Sequence, residues 1–226
     1  PYIRIQTMKE WAPLEVEAYK ELFQSGRTGN YDIYAVFIEQ GLNLLNPQGL
    51  LGFICPHKFF NSKYGKPVRE MIATGKHLLH VVHFGALQVF ETATTYTCLL
   101  FLSKPPKQEC RFAKVSDFVA WRTAGMAIEG PVKASQVASE EWNFYVGPGA
   151  GLFEKLSSMP HKIGDVADIF VGLQTSADDV FIMNLVAETE RTFRLRSKSL
   201  GTEWTFEKEL LHPLVSGTDV KRYGFL

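Results

Sequence analysis

Residues 31–56, YDIYAVFIEQGLNLLNPQGLLGFICP, decide how the rest of the chain is read. Ile33, Phe37, Gly41 and Leu44 or Leu45 recur on one face at helical spacing, which predicts a helix over 31–46. Pro47 and Gly49 stop it. LLGFICP, 50–56, is then a short apolar run without alternation, the pattern of a strand buried on both faces.

Working outward, a second helix is expected near 65–75 and a strand over LLHVVHF, 78–84. The next apolar run is TYTCLLFLS, 95–103. The link between these two runs, GALQVFETAT, is too short for a comfortable parallel crossover, which takes a dozen or more residues. The two strands are therefore expected to pair antiparallel, giving an α/β sheet with an antiparallel last strand. Lys104-Pro105-Pro106-Lys107 is a turn, and CRFAKVSDFVAW, 110–121, could add a short strand. Gly130-Pro131 and GPGAG, 147–151, interrupt the pattern and place a boundary at 130–151. Beyond it, LFEKLSSM is a short helix. KIGDVADIFVGLQTS, 162–176, reads as strand and turn, DVFIMNL as a strand, and FRLRS as its partner.

Composition excludes several classes. Of 226 residues, 46% are apolar and 21% charged, an ordinary globular balance that rules out disorder as the main state. No stretch reaches the roughly 18 apolar residues of a membrane span, and PYIRIQTMKEW carries no secretory signal. The chain opens at Pro1 without an initiator methionine and is read as a fragment. Twenty-four basic and 24 acidic residues cancel, so no global basic field exists for nucleic acid. Two local basic runs remain: Lys58, Lys63, Lys66, Arg69 and Lys76 against Glu70, and Arg191, Arg194, Arg196 and Lys198. Either is a solvated face or a nucleic-acid contact. Cys55 and Cys98 lie in apolar runs and read as core. With Cys110 they are odd in number and widely spaced, which fits a reducing compartment.

Isolated motifs are weak. GPGAG lacks the Lys-Ser/Thr of a phosphate loop and reads as a linker. His80 and His83, on a strand, point to opposite faces, so His77, His80 and His83 are not read as a metal site. No metal is expected. No pair of CxxC type and no local Ser-His-Asp or Cys-His signature is present.

An ordered set of motifs is more specific. It comprises Pro1-Tyr2-Ile3-Arg4, the YDIY helix, Pro56-His57-Lys58-Phe59, Lys63-Tyr64-Gly65-Lys66, and Val89-Phe90-Glu91-Thr92-Ala93-Thr94-Thr95-Tyr96-Thr97. The set resembles the gamma-class amino-methylating DNA methyltransferases, and most closely the large adenine-N6 enzymes of type II and type IIG restriction–modification systems. There the first motif reads Asn-Pro-Pro-Tyr-(Ile/Val)-Arg, and an antiparallel last strand is a hallmark. KIGDVADIFVGLQTSADDVFIM and LLHPLVSGTDVKRYGF resemble the start of the target-recognition domain of the same enzymes. The resemblance covers 1–104 and 160–226.

It implies a partial Rossmann-like S-adenosylmethionine-dependent methyltransferase sheet over 1–130. A linker over 131–151 and the opening of a mixed α+β target-recognition domain over 152–226 would follow. The implied partner is double-stranded DNA with one flipped adenine, and the implied location is bacterial or archaeal cytoplasm, with no membrane. Pro1 and Tyr2 would be catalytic, Tyr2 stacking on the flipped base, with Phe90 the second aromatic on that base. Phe37 would line the cofactor adenine, or is plain core. Lys58, Lys63, Lys66, Gln174, Thr175, Lys221 and Arg222 would face DNA. At 172–176 a tight turn capped by Thr175 or Ser176 is the structural alternative.

The chain also departs from the family. The Asn and first Pro of the signature would precede Pro1. The glycine-rich cofactor loop and the acidic ribose ligand have no copy here, nor does a nuclease Pro-Asp…(Asp/Glu)-x-Lys. The fragment alone is therefore expected to bind S-adenosylmethionine poorly and to be inactive, the parent protein doing both. The rival readings are an RNA or protein amine methyltransferase, and a catalytically inactive DNA-binding or scaffold module of a defence system.

Overall fold

The computed structural model describes the chain except residues 1, 92–94, 169, 171, 173, 216, 218, 223, 225 and 226. It divides into two compact units, 1–159 and 160–226.

The first unit runs α1 (Ile5–Trp11), α2 (Pro13–Leu22), α3 (Tyr34–Leu44), β1 (Leu50–Pro56), α4 (Lys66–Thr74), β2 (Leu78–His83), β3 (Thr97–Ser103), β4 (Glu109–Lys114), α5 (Phe118–Ala124), β5 (Ile128–Lys133) and α6 (Ala150–Ser157). The strands form one sheet in the order β1-β3-β2-β4-β5. β3 is antiparallel to both β1 and β2, β4 is parallel to β2, and β5 is antiparallel to β4. So β1, β2 and β4 share a direction and β3 lies reversed between two of them. This is the expected α/β, partial Rossmann-like sheet. The short link after β2 does return the chain antiparallel.

Several expectations need correction. β3 does not end the sheet, because β4 and β5 extend it beyond β2. β1 is not buried on both faces. It pairs with β3 at one edge, and its exposure alternates along Leu50–Ile54. α3 covers the Leu51/Phe53 side, where Gly41 approaches so closely that an added Cβ would meet the Leu51 and Phe53 side chains. Residues 131–146 are not a linker. Val132, Val137 and Trp142 are buried in the main core, and the Trp142 ring lies 5.7 Å from Phe59 and 5.2 Å from Phe60. Pro131 sits within β5, opposite Arg111, on the outer strand of the sheet. An edge strand tolerates a residue that has no N–H to give.

The first basic run also breaks up. Lys58, Lys63 and Lys66 are exposed, but Arg69 turns inward and is buried. Its guanidinium donates to the carbonyls of Phe59 (2.6 Å), Ser62 (2.9 Å) and Ser139 (2.9 Å). Burial lowers its pKa, partly offset by Glu141 and Glu140. Arg69 thereby ties the turn after β1 to the 131–146 segment. Tyr64 adds a second tie, its hydroxyl lying 2.9 Å from that of Tyr34 on α3. Gly65 passes beneath the Phe59 carbonyl with no room for a side chain, so a Cβ there would collide with backbone. Gly65→Ala is therefore expected to destabilise the fold by about 2 kcal/mol or more, read by urea unfolding, since fixed backbone cannot give way. An unchanged midpoint would contradict this packing.

The second unit has α7 (Asp178–Phe181) and an antiparallel sheet of β6 (Met183–Glu188), β7 (Thr192–Ser197) and β8 (Glu203–Glu207), in that order. FRLRS pairs with the preceding strand as expected. DVF, however, is helical, and the strand begins only at Met183. Asp178 and Asp179 suit the electropositive first turn of a helix. The strand expected within 162–176 is not seen among the described residues. A 3₁₀ turn, Ile163–Asp165, stands there instead, and Asp165 accepts from the Lys162 N–H at 2.7 Å. Such local side-chain bonding competes with extended pairing. In the second basic run, Arg194 and Arg196 pair with Glu203 across the sheet at 3.6 and 2.7 Å.

Candidate active site

Near the C-terminal ends of the co-directional strands β1 and β2 lie Tyr2, bonded to Ile54, and the imidazoles of His57 and His83. Ligands of open α/β sheets bind outside the carboxyl ends of their strands.

Tyr2 reaches this edge because its segment is pinned to the start of α3. Ile5 N donates to Tyr31 O at 2.9 Å and Ile33 N to Ile3 O at 3.0 Å, around an antiparallel bridge between Arg4 and Asp32. This pairing gives a physical reason for the YIR and YDIY segments to occur together. The Tyr2 hydroxyl donates to the Ile54 carbonyl of β1 at 2.7 Å. Partial burial raises its pKa, with Cys55 and Cys98 acting in the same direction, so the phenol stays a donor. The residue is 41% exposed. Phe90 lies 6.4 Å away, its plane tilted by 55°. The structure thus brings together two aromatics far apart in sequence and leaves one of them open to solvent.

Two histidines lie at the ends of the same strands, and the sequence reading gave neither a role. His57 follows β1 and His83 ends β2, their rings 4.2 Å apart. His83 Nδ1 accepts from Gly85 N at 3.1 Å, so its Nδ1 is bare. His57 Nε2 lies 3.3 Å from Gly85 O, and since a carbonyl only accepts, Nε2 is the donor. His83 is packed against Phe60 and Phe112. Burial first, then His57 and Lys114, lower its pKa from 6.5 to about 4.

A histidine whose pKa is depressed by folding supports the fold fully above its unfolded value, and that support is lost as pH falls toward the folded value. The first unit should therefore weaken between about pH 6.5 and 4. His83→Asn, which keeps an acceptor for Gly85 N–H but cannot titrate, should flatten that part of a denaturation–pH profile. Equal slopes for the two proteins would contradict the assignment.

Phe37 is 44% exposed on α3, which argues against plain core. It lies one turn before Gly41 and shares its helix face, the side toward β1. Pro1 lies outside the described residues. Cys55 and Cys98 are buried and free beneath the site, their sulfurs 3.9 Å apart. His80 is separate, its Nε2 3.2 Å from Glu129. Among the described residues no group of three or more His, Cys, Asp or Glu could hold a metal, and no helix is long and apolar enough to cross a membrane.

Gln174, Thr175, Lys221 and Arg222 belong to the second unit. The Thr175 hydroxyl donates to Asp178 and accepts from Ala177 N at 3.1 Å. These bonds lie at 175–178; the tight turn expected over 172–176 includes Leu173, which is outside the described residues. Gln174, Lys221 and Arg222 are exposed.

The first unit is thus an α/β domain with an aromatic pair at the carboxyl edge of its parallel strands. Residues 1–90 match the Eco57I restriction-modification methylase family. The chain is 30% identical over 218 residues to the type II restriction enzyme and methyltransferase RM.Eco57I of Escherichia coli, covering 94% of this chain and 21% of that protein. It is 30% identical over 173 residues to the type II methyltransferase M.XhoI of Xanthomonas vasicola, covering 67% and 31%. Among solved structures it resembles the type IIG restriction endonuclease BpuSI, with a TM-score of 0.39 and 13% identity over 59% of this chain and 17% of that one. Over these stretches the chain is similar to type II restriction–modification methyltransferases, and it spans between about a fifth and a third of the length of the two it matches here.

Proposed function

We propose that this chain forms part of a site-specific DNA adenine-N6 methyltransferase of a type II restriction–modification system. In this reading it supplies the later part of the catalytic domain and the start of the target-recognition domain. The observation that carries the reading is the Tyr2–Phe90 pair, set at a strand edge with Tyr2 exposed.

The chemistry asks for such a pair. The exocyclic amine of adenine is a poor nucleophile because its lone pair is delocalised into the ring. The base must also leave the duplex before the amine can be reached. Tyr2 stacks on the flipped base and its hydroxyl bond to Ile54 fixes the ring, while Phe90 meets the base from a second side. Acceptors on the amine, expected from the Asn and first Pro of the signature ahead of Pro1, localise the lone pair.

S-adenosylmethionine supplies an electrophilic methyl group on a sulfonium. The residues present fit its adenine at one point: Phe37 is an exposed aromatic on α3, one turn before Gly41, which packs on β1. In the second unit Gln174, Thr175, Lys221 and Arg222 face DNA in this reading, with Lys58, Lys63 and Lys66 in the first. Lysine contacts to phosphates position the duplex without reading sequence.

The test uses the full-length protein, methyl-labelled S-adenosylmethionine, and DNA, RNA and protein acceptors side by side. Label in double-stranded DNA supports the proposal. Label confined to RNA or protein, or none in any acceptor from folded protein, overturns it.

A further inference from the structure

The segment carrying Phe90 leaves β2 at Gly85 and re-enters the sheet through Tyr96, just before β3. His57 holds both points. Its ring Nε2 donates to Gly85 O at 3.3 Å, its backbone N donates to Tyr96 O at 3.1 Å, and its ring stacks on that of Tyr96 at 6.3 Å and 21°. His83 holds the other side of the same glycine by accepting from Gly85 N. The Gly85 peptide is therefore gripped at its N–H by one imidazole and at its C=O by another, with the two rings 4.2 Å apart.

Gly85 has φ +56°, a left-handed conformation that L side chains rarely adopt. Past it the segment is fixed by Leu87 N bonding to Phe84 O at 2.9 Å and by Leu87 and Val89 packing beside Phe84. Phe90 follows directly. On the other side, His57 adjoins Pro56, two residues past the Ile54 carbonyl that holds Tyr2. One residue thus joins the strand that fixes Tyr2 to the segment that carries Phe90.

We propose that His57 is a positioning residue that sets Phe90 against Tyr2 by clamping Gly85 and Tyr96, and so fixes the width of the slot for the target base. The proposal deepens the base-stacking reading and rests on it. His57 touches neither base nor methyl donor; it acts through Phe90. In His57→Phe the ring stack is kept and the donor to Gly85 is lost. In His57→Gln a side-chain N–H replaces it.

The experiment measures single-turnover methyl transfer, duplex affinity, S-adenosylmethionine affinity and amide hydrogen exchange over 85–90 in the full-length protein. His57→Phe is expected to slow transfer about tenfold, since small misplacements of a positioning group are costly. Both affinities should stay within about twofold, because this ring meets neither ligand, as in the loss of an interaction made only in the transition state. Exchange over 85–90 should rise. His57→Gln should recover most of both effects. Unchanged exchange in His57→Phe overturns the clamp, whether or not the protein methylates DNA. Raised exchange with unchanged transfer overturns the link to Phe90. If wild-type protein transfers no methyl group to DNA, the base-stacking reading fails and the slot proposal falls with it, while exchange still judges the clamp.

Discussion

Tyr2→Ala in the full-length protein is expected to lower methyl transfer to DNA by about fivefold to 150-fold, the span that corresponds to the ~1–3 kcal/mol of one base–aromatic stack. Tyr2→Phe should stay within about tenfold of the parent. It keeps the ring and gives up only the hydroxyl bond to Ile54, a net loss of about 1 kcal/mol. The order Tyr, Phe, Ala follows from the geometry, because the ring face is the exposed, usable surface and the hydroxyl serves to anchor it. Single-turnover rates with the three proteins check it. A Phe variant as impaired as Ala would mean that the hydroxyl, not the stack, is the functional group.

Arg69→Met should be the most damaging substitution for stability, at about 3–5 kcal/mol, or about 10 °C in midpoint. The side-chain volume is largely kept. What is lost is the donor set for three carbonyls, those of Phe59, Ser62 and Ser139, and bonds to charged donors are the stronger class. Those carbonyls belong to the turn after β1 and to the segment beneath Trp142, so the loss should loosen that turn, with Lys58 and Lys63, along with the core. Arg69→Lys should fall between, since an ammonium cannot reproduce the planar fork. Thermal unfolding of the three proteins decides it. An Arg69→Met variant as stable as the parent would show that the buried guanidinium is not structural.

Much of the first unit was legible. Pro47 and Gly49 after a helical apolar face, and a link too short to cross over, gave the α3–β1 step and the reversed strand from local rules alone. The edge position of β1 was not legible, because an apolar run looks the same whether one face or two are covered. Nor was the fate of 131–146. Gly130-Pro131 punctuates most chains, yet here it lies within an outer strand, and Trp142 brings the following segment back onto Phe59 and Phe60. Arg69 counted as one more surface cation, since charge runs carry no sign of which member turns inward. For the site, Tyr2 and Phe90 could be paired only through the resemblance, as nothing local joins residues so far apart. The grip of His57 and His83 on Gly85 depends on the end-to-end register of β1 and β2 with β3, which exists only in the fold.

The most direct test expresses the full-length gene in a host that lacks adenine methylation and quantifies N6-methyladenine in its digested DNA by mass spectrometry, with Tyr2→Ala alongside. N6-methyladenine that appears with the parent and falls well below the parent's level with Tyr2→Ala is the predicted result. Well-folded parent protein that leaves no N6-methyladenine, or a Tyr2→Ala protein that methylates as well as the parent, would contradict the account.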